Sequence, residues 1–89
     1  MRLRHGASAG TDESGDVLVT VEPLETGVEI QLTSTVERMF GAAIRASVLD
    51  VLNHCGVEAC RVTIQDKGAL DYVIRARMET ALLRAWKEA

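Results

Sequence analysis

Ser14, in the run Gly10-Thr11-Asp12-Glu13-Ser14-Gly15-Asp16, carries a hydroxyl that another enzyme could reach and modify, because its neighbour Gly15 adds no side chain. Accessibility by itself is unspecific: most serines in polar stretches only solvate or cap a turn. Acid–base or nucleophilic catalysis would need convergent groups that tune one another. The histidines supply little for that. His5 sits in a polar N-terminal stretch, and His54 stands beside Cys55 at a helix end, an ordinary place for a partly exposed histidine. Asp12, Glu13 and Asp16 form a small acidic cluster without the oxygen spacing of a dedicated calcium loop, so a solvated acidic loop is the simpler reading. No catalytic and no metal-ligating set emerges.

Two further segments admit two readings each. Asp66-Lys67-Gly68-Ala69-Leu70-Asp71 has the composition of a turn and cap before a helix, and also of a lysine beside free amides that could hold an anion. Arg75 and Arg77 fit a solvated helix face, with Asp71 and Arg75 spaced for an i,i+4 pair, or a docking surface.

Positioning these groups falls to a single domain, since 89 residues have room for one core. The hydrophobic fraction of 47% and charged fraction of 26% are those of a folded chain. Aromatic residues at 3% and a net charge of -3, with basic residues dispersed, argue against nucleic-acid binding, which needs stacking rings or a clustered basic face. Cys55 and Cys60 have no metal or redox spacing and read as reduced thiols. No apolar run approaches the roughly 18 residues of a membrane helix, and no signal-type stretch follows Met1. The expected location is the cytoplasm, away from membranes.

Residues 1–15 lack periodicity and suggest a flexible N-terminal arm bearing Ser14, followed by a single α+β domain over 16–89. Val17, Val19 and Val21 alternate with polar or outward residues up to Pro23, and Val28, Ile30 and Leu32 repeat that rhythm, so the two strands are expected to pair as a hairpin. Ser34-Thr35-Val36-Glu37 has capping-box spacing and predicts a helix, with Val36, Phe40, Ala43, Ile44, Val48, Val51 and Leu52 as its apolar stripe and Gly56 as its stop. Cys60, Val62 and Ile64 mark a third strand with the Cys60 thiol as core filling. Leu70, Val73, Ile74, Met78, Ala81, Leu82 and Ala85 form the buried face of a second helix whose last residues fray. The order ββαβα predicts a two-layer α+β sandwich, a three-stranded sheet with both helices on one face.

Ala9-Gly10-Thr11-Asp12-Glu13-Ser14-Gly15-Asp16, Asp66-Lys67-Gly68-Ala69-Leu70-Asp71 and Ile74-Arg75-Ala76-Arg77, with Phe40-Gly41 and Ala43-Ile44-Arg45 between them, resemble the citrate lyase acyl carrier family, the gamma subunits of that enzyme. The resemblance implies that Ser14 carries 2'-(5''-phosphoribosyl)-3'-dephospho-CoA through a phosphodiester bond. It implies three partners: an alpha acyltransferase subunit, a beta lyase subunit and a prosthetic-group transferase. The acetyl thioester on the group would be exchanged for citrate and the citryl thioester cleaved to oxaloacetate, the carrier itself making and breaking no bond. The carrier of malonate decarboxylase is similar around Ser-Gly-Asp; the Asp-Lys-Gly-Ala-Leu-Asp block favours citrate lyase. A structural interaction module without cargo, working through the helix face of Arg75 and Arg77, is the alternative from another class.

Overall fold

Val17, Val19 and Val21 are completely buried while Leu18, Thr20 and Glu22 are not, as expected for a strand with one face on the core. Cys60, Val62 and Ile64 behave the same way, and the thiol of Cys60 is indeed core filling, its pKa pushed up by burial. In the computed structural model, which describes residues 1–87, the chain runs β1 (Ala7–Gly10), β2 (Val17–Pro23), β3 (Val28–Ser34), α1 (Glu37–His54), β4 (Cys60–Asp66) and α2 (Asp71–Trp86). The fraying expected at the end falls partly on residues 88 and 89, outside those described.

Several expectations are overturned. The sheet has four strands, in the order β1-β2-β4-β3, and not three. The additional strand, β1, lies in the segment read as an arm, and the element order is therefore βββαβα. Ala7-Ser8-Ala9-Gly10 shows no strand signature because its side chains are small, yet Ala9 is buried and β1 pairs antiparallel with β2 from Ala7↔Val21 to Gly10↔Leu18. The stretch before it is also tied down. Leu3 is buried, Arg4 and His5 donate their amides to the Ala85 carbonyl, and Arg84 donates to the Ser8 carbonyl.

The hairpin between β2 and β3 does not form either. β4 inserts between them, antiparallel to β2 and parallel to β3. Alternation says which face of a strand is buried but not which strand lies beside it, and the fully buried Cys60, Val62 and Ile64 require a central place that Val28, Ile30 and Leu32 of β3, exposed or only half-buried, can do without. The parallel pair β3/β4 is joined by α1, the usual crossover for that geometry.

Ser34 does not cap α1. It ends β3, its hydroxyl donates to Asp66 Oδ2 (2.7 Å) and accepts the Val36 amide (3.0 Å), and the helix begins at Glu37. Ile44, Val48, Val51 and Leu52 of α1 and Ile74, Met78, Ala81, Leu82 and Ala85 of α2 meet the inner side of the sheet. The other side carries Thr20, Glu22, Thr63, Gln65 and Gln31 and faces solvent, as one side of such a sheet can. The two helices are bridged at the surface: Arg75 donates to Asp71 at the expected i,i+4 spacing (2.8 Å) and also to Asp50, while Asp71 accepts the Ser47 hydroxyl. Among the described residues no helix is long and apolar enough to cross a membrane.

Leu82 is fully buried, whereas Tyr72 on the same helix is 70% exposed. Leu82→Ala is expected to cost about 2–5 kcal/mol in urea unfolding and Tyr72→Ala less than about 0.5 kcal/mol; equal losses would mean that the helix face is assigned wrongly.

Candidate functional site

Gly10 ends β1 with φ +94, and a Cβ placed there would lie 1.9 Å from the Val17 carbonyl oxygen. Glycine is therefore required where the chain leaves the sheet. The connection to β2 closes immediately: the Thr11 amide donates to the Val17 carbonyl at 3.2 Å, and the Asp16 amide donates to the Glu13 carbonyl at 3.0 Å. That second bond spans four residues, Glu13-Ser14-Gly15-Asp16, and Gly15 at the third has φ +83, the conformation of a type II turn. Ser14 occupies the second position, at the outer tip.

The turn is anchored on both sides. Toward β4, the Gly15 amide donates to the Lys67 carbonyl at 2.8 Å and the Lys67 amide donates back to the Asp16 carbonyl at 3.0 Å, extending the β2/β4 ladder past the strand ends. Toward β1 and α2, the Asp16 carboxylate accepts from the Thr11 hydroxyl (2.7 Å) and the Val17 amide (2.8 Å), while Arg77 donates from two guanidinium nitrogens, 3.2 Å and 3.1 Å from the two carboxylate oxygens. Thr11, Val17 and Arg77 together hold the Asp16 pKa at about 2 against the usual 3.8. The side chain of Asp16 is only 17% exposed.

Ser14 itself is exposed, and its hydroxyl makes no hydrogen bond among the described residues. The space beside Gly15 is open: a Cβ there would meet nothing within 4 Å. A nucleophilic oxygen at the tip of a braced turn, with no side chain shielding it, fits the root of a covalently attached group. The flexible arm expected to bear Ser14 is thus replaced by a hairpin turn.

The other residues singled out from the sequence fall elsewhere. Asp66 supplies turn and cap, its buried carboxylate accepting the Ala69 amide at 2.9 Å, while Lys67 is exposed. Asp12 and Glu13 are solvent-facing, and no cluster of three His, Cys, Asp or Glu groups able to hold a metal occurs among the described residues. His5 and His54 are at the opposite end of the sheet from Ser14. His5 contacts the Gly6 and Lys87 carbonyls, which raise its pKa, and Cys55 beside His54 is pushed up by partial burial and the Glu79 carboxylate, the reverse of an activated thiol. Thr11, Gly10 and Arg77 were not read as parts of the serine site. Leu70 and Phe40, expected in the core, are 62% and 50% exposed and line a shallow apolar cleft with Val36, Ile44 and Ala69 on the other side of the Lys67-Gly68 turn.

Because the folded-state pKa of Asp16 lies below its unfolded value, its contribution to stability is present above about pH 4 and lost as the pH falls toward about 2. Asp16→Asn is expected to lower the urea midpoint at pH 6 and to approach the wild-type midpoint as the pH is taken down to about 2; a difference that is constant across that window would contradict the bonding described.

The family model described as the acyl carrier protein, malonate decarboxylase delta subunit (MdcD), matches residues 4–85. The chain is 52% identical over 87 residues to the citrate lyase acyl carrier protein of Edwardsiella ictaluri (strain 93-146), covering 96% of this chain and 88% of that one. Among solved structures it superposes on a chain of a Pseudomonas malonate decarboxylase hetero-tetramer in complex with malonate with a TM-score of 0.77, at 24% identity over 96% of this chain and 88% of that chain, a likeness of fold. A structure from Thermus thermophilus is a more distant fold match, with a TM-score of 0.53 and 14% identity over 94% of this chain but 16% of that chain. The chain belongs to the acyl carrier protein family that comprises the carriers of citrate lyase and malonate decarboxylase.

Proposed function

We propose that this chain is the acyl carrier subunit of a citrate lyase, with Ser14 as the residue to which 2'-(5''-phosphoribosyl)-3'-dephospho-CoA is joined by a phosphodiester bond. The observation that carries the reading is the unbonded Ser14 hydroxyl at the exposed tip of a turn braced on both sides. When bound, the group supplies a terminal thiol on which an acyl unit is held as a thioester. The chain's own residues do something simpler: they fix the root of the group and leave its surroundings open, so that the thioester reaches partner active sites at high effective concentration.

Its partners on this reading are the alpha acyltransferase and beta lyase subunits and, during maturation, a prosthetic-group transferase, all in the cytoplasm. The chain makes and breaks no bond of the citrate reaction. In support, the histidines lie at the far end of the sheet from Ser14, and the Asp16 carboxylate, two residues after it, is engaged by Arg77. The close identity to a citrate lyase carrier favours that enzyme over malonate decarboxylase. The alternative of an interaction module without cargo loses its main argument, because Arg75 bridges the two helices and Arg77 braces the turn instead of standing free for a partner.

Intact-mass analysis of protein co-expressed with its maturation enzymes is expected to show one large adduct that Ser14→Ala abolishes. An adduct that survives the substitution would refute the assignment.

A further inference from the structure

Among the described residues, every bond that shapes the Ser14 turn comes from residues 11–17 or from the backbone of Lys67, with one exception. Arg77 reaches across from α2, 61 residues along the chain, and grips both oxygens of Asp16 through Nε and a terminal nitrogen. It can do so because of what stands in its path. A Cβ at Gly10 would come within 3.3 Å of the Arg77 Cδ, so the bare glycine that lets β1 turn also leaves the channel through which the guanidinium passes. Asp16 in turn fixes the start of β2 through the Val17 amide and the start of the loop through the Thr11 hydroxyl, whose oxygen also accepts the Glu13 amide at 3.3 Å.

We propose that Arg77 is a positioning residue for the loading of Ser14, holding the turn through Asp16 in the shape that the transferring enzyme recognises. The proposal rests on the reading of Ser14 as the attachment site and adds a specific cause for its competence. In loading, the Ser14 oxygen forms the new bond to phosphorus of an activated phosphoanhydride donor. The anhydride bond to the leaving phosphate breaks with its electron pair, and the hydroxyl proton passes to a base on the transferring enzyme. Arg77 touches none of these atoms. What it removes is the freedom of the loop: a two-pronged guanidinium fork fixes a carboxylate in orientation as well as in place, which a single ammonium cannot do. Without it the local turn can still close, but its placement against α2 is lost, and docking must then order the loop each time. The defect therefore belongs in KM for the carrier and not in kcat, since the attacking hydroxyl is unchanged.

The test is the rate of adduct formation on the unmodified full chain by its prosthetic-group transferase, followed by intact mass as carrier concentration is varied. Arg77→Ala is expected to raise KM for the carrier at least tenfold with kcat within about twofold of wild type, and Arg77→Lys to fall between the two. Arg75→Ala is the control: it breaks an arginine bridge on the same helix that does not touch the turn, and should load with wild-type KM. In parallel, heteronuclear NOEs at the Ser14 and Gly15 amides are expected to drop in Arg77→Ala and to stay at wild-type values in Arg75→Ala. Wild-type KM in Arg77→Ala, or an equal rise in Arg75→Ala, overturns the proposal while leaving Ser14 as the attachment site. If Arg77→Ala does not fold, Arg77→Lys decides alone, and a wild-type KM there is the overturning result. Loading that survives Ser14→Ala removes the attachment reading itself, and is thereby told apart from failure of the Arg77 role.

Discussion

The carboxylate of Asp16 accepts from a hydroxyl on the β1 side of the loop, from the first amide of β2 and from an arginine on α2, and around that one anion the serine turn, the sheet edge and the second helix meet. A carboxylate accepting this many donors while mostly covered is held in its charged form, and the donors are oriented by it in return. The type II turn is the geometric result. With Asp16 fixed at its fourth position and Gly15 in the left-handed region at its third, Ser14 at the second is pushed to the surface.

On the proposed reading of Ser14, this placement divides the labour between protein and attached group. The serine is fixed to the fold at a hairpin just before β2, so any travel between partner active sites belongs to the group and not to the backbone. A defined root has an advantage for such a carrier, since tethering raises effective concentration only when the tether can span the sites it serves. The acidic residues Asp12 and Glu13 and the exposed Lys67 surround the root with their side chains outside the bonded network, leaving the turn open to a partner's approach.

Much of the architecture was legible from alternation and helical spacing. Val17-Val19-Val21 and Cys60-Val62-Ile64 are fully buried as read, and both helices were recognised with most of their buried faces. What was hidden has physical reasons. β1 consists of Ala, Ser and Gly, whose small side chains give no alternation signal, although their size suits a strand lying against α2. The order of strands depends on which one is most deeply buried, a property of the assembled sheet, and so β4 displaced the hairpin that local spacing suggested. Ser34 has the spacing of a helix cap, but its hydroxyl is taken by Asp66 on the neighbouring strand, and the helix starts at Glu37. Ser14 is proposed from its motif, whereas the brace of its turn has no local signal: nothing near Arg77 in sequence ties it to Asp16, 61 residues earlier.

The proposed role requires that a group be carried on one residue at the tip of this turn. Tandem mass spectrometry of peptides from the mature, co-expressed protein tests it most directly, because base-induced elimination of a serine-linked phosphodiester leaves dehydroalanine at the attachment point. Dehydroalanine is expected at position 14, with the remainder of the chain unmodified. An intact Ser14 in fully mature protein, or the adduct on Cys55 or another hydroxyl, would contradict it.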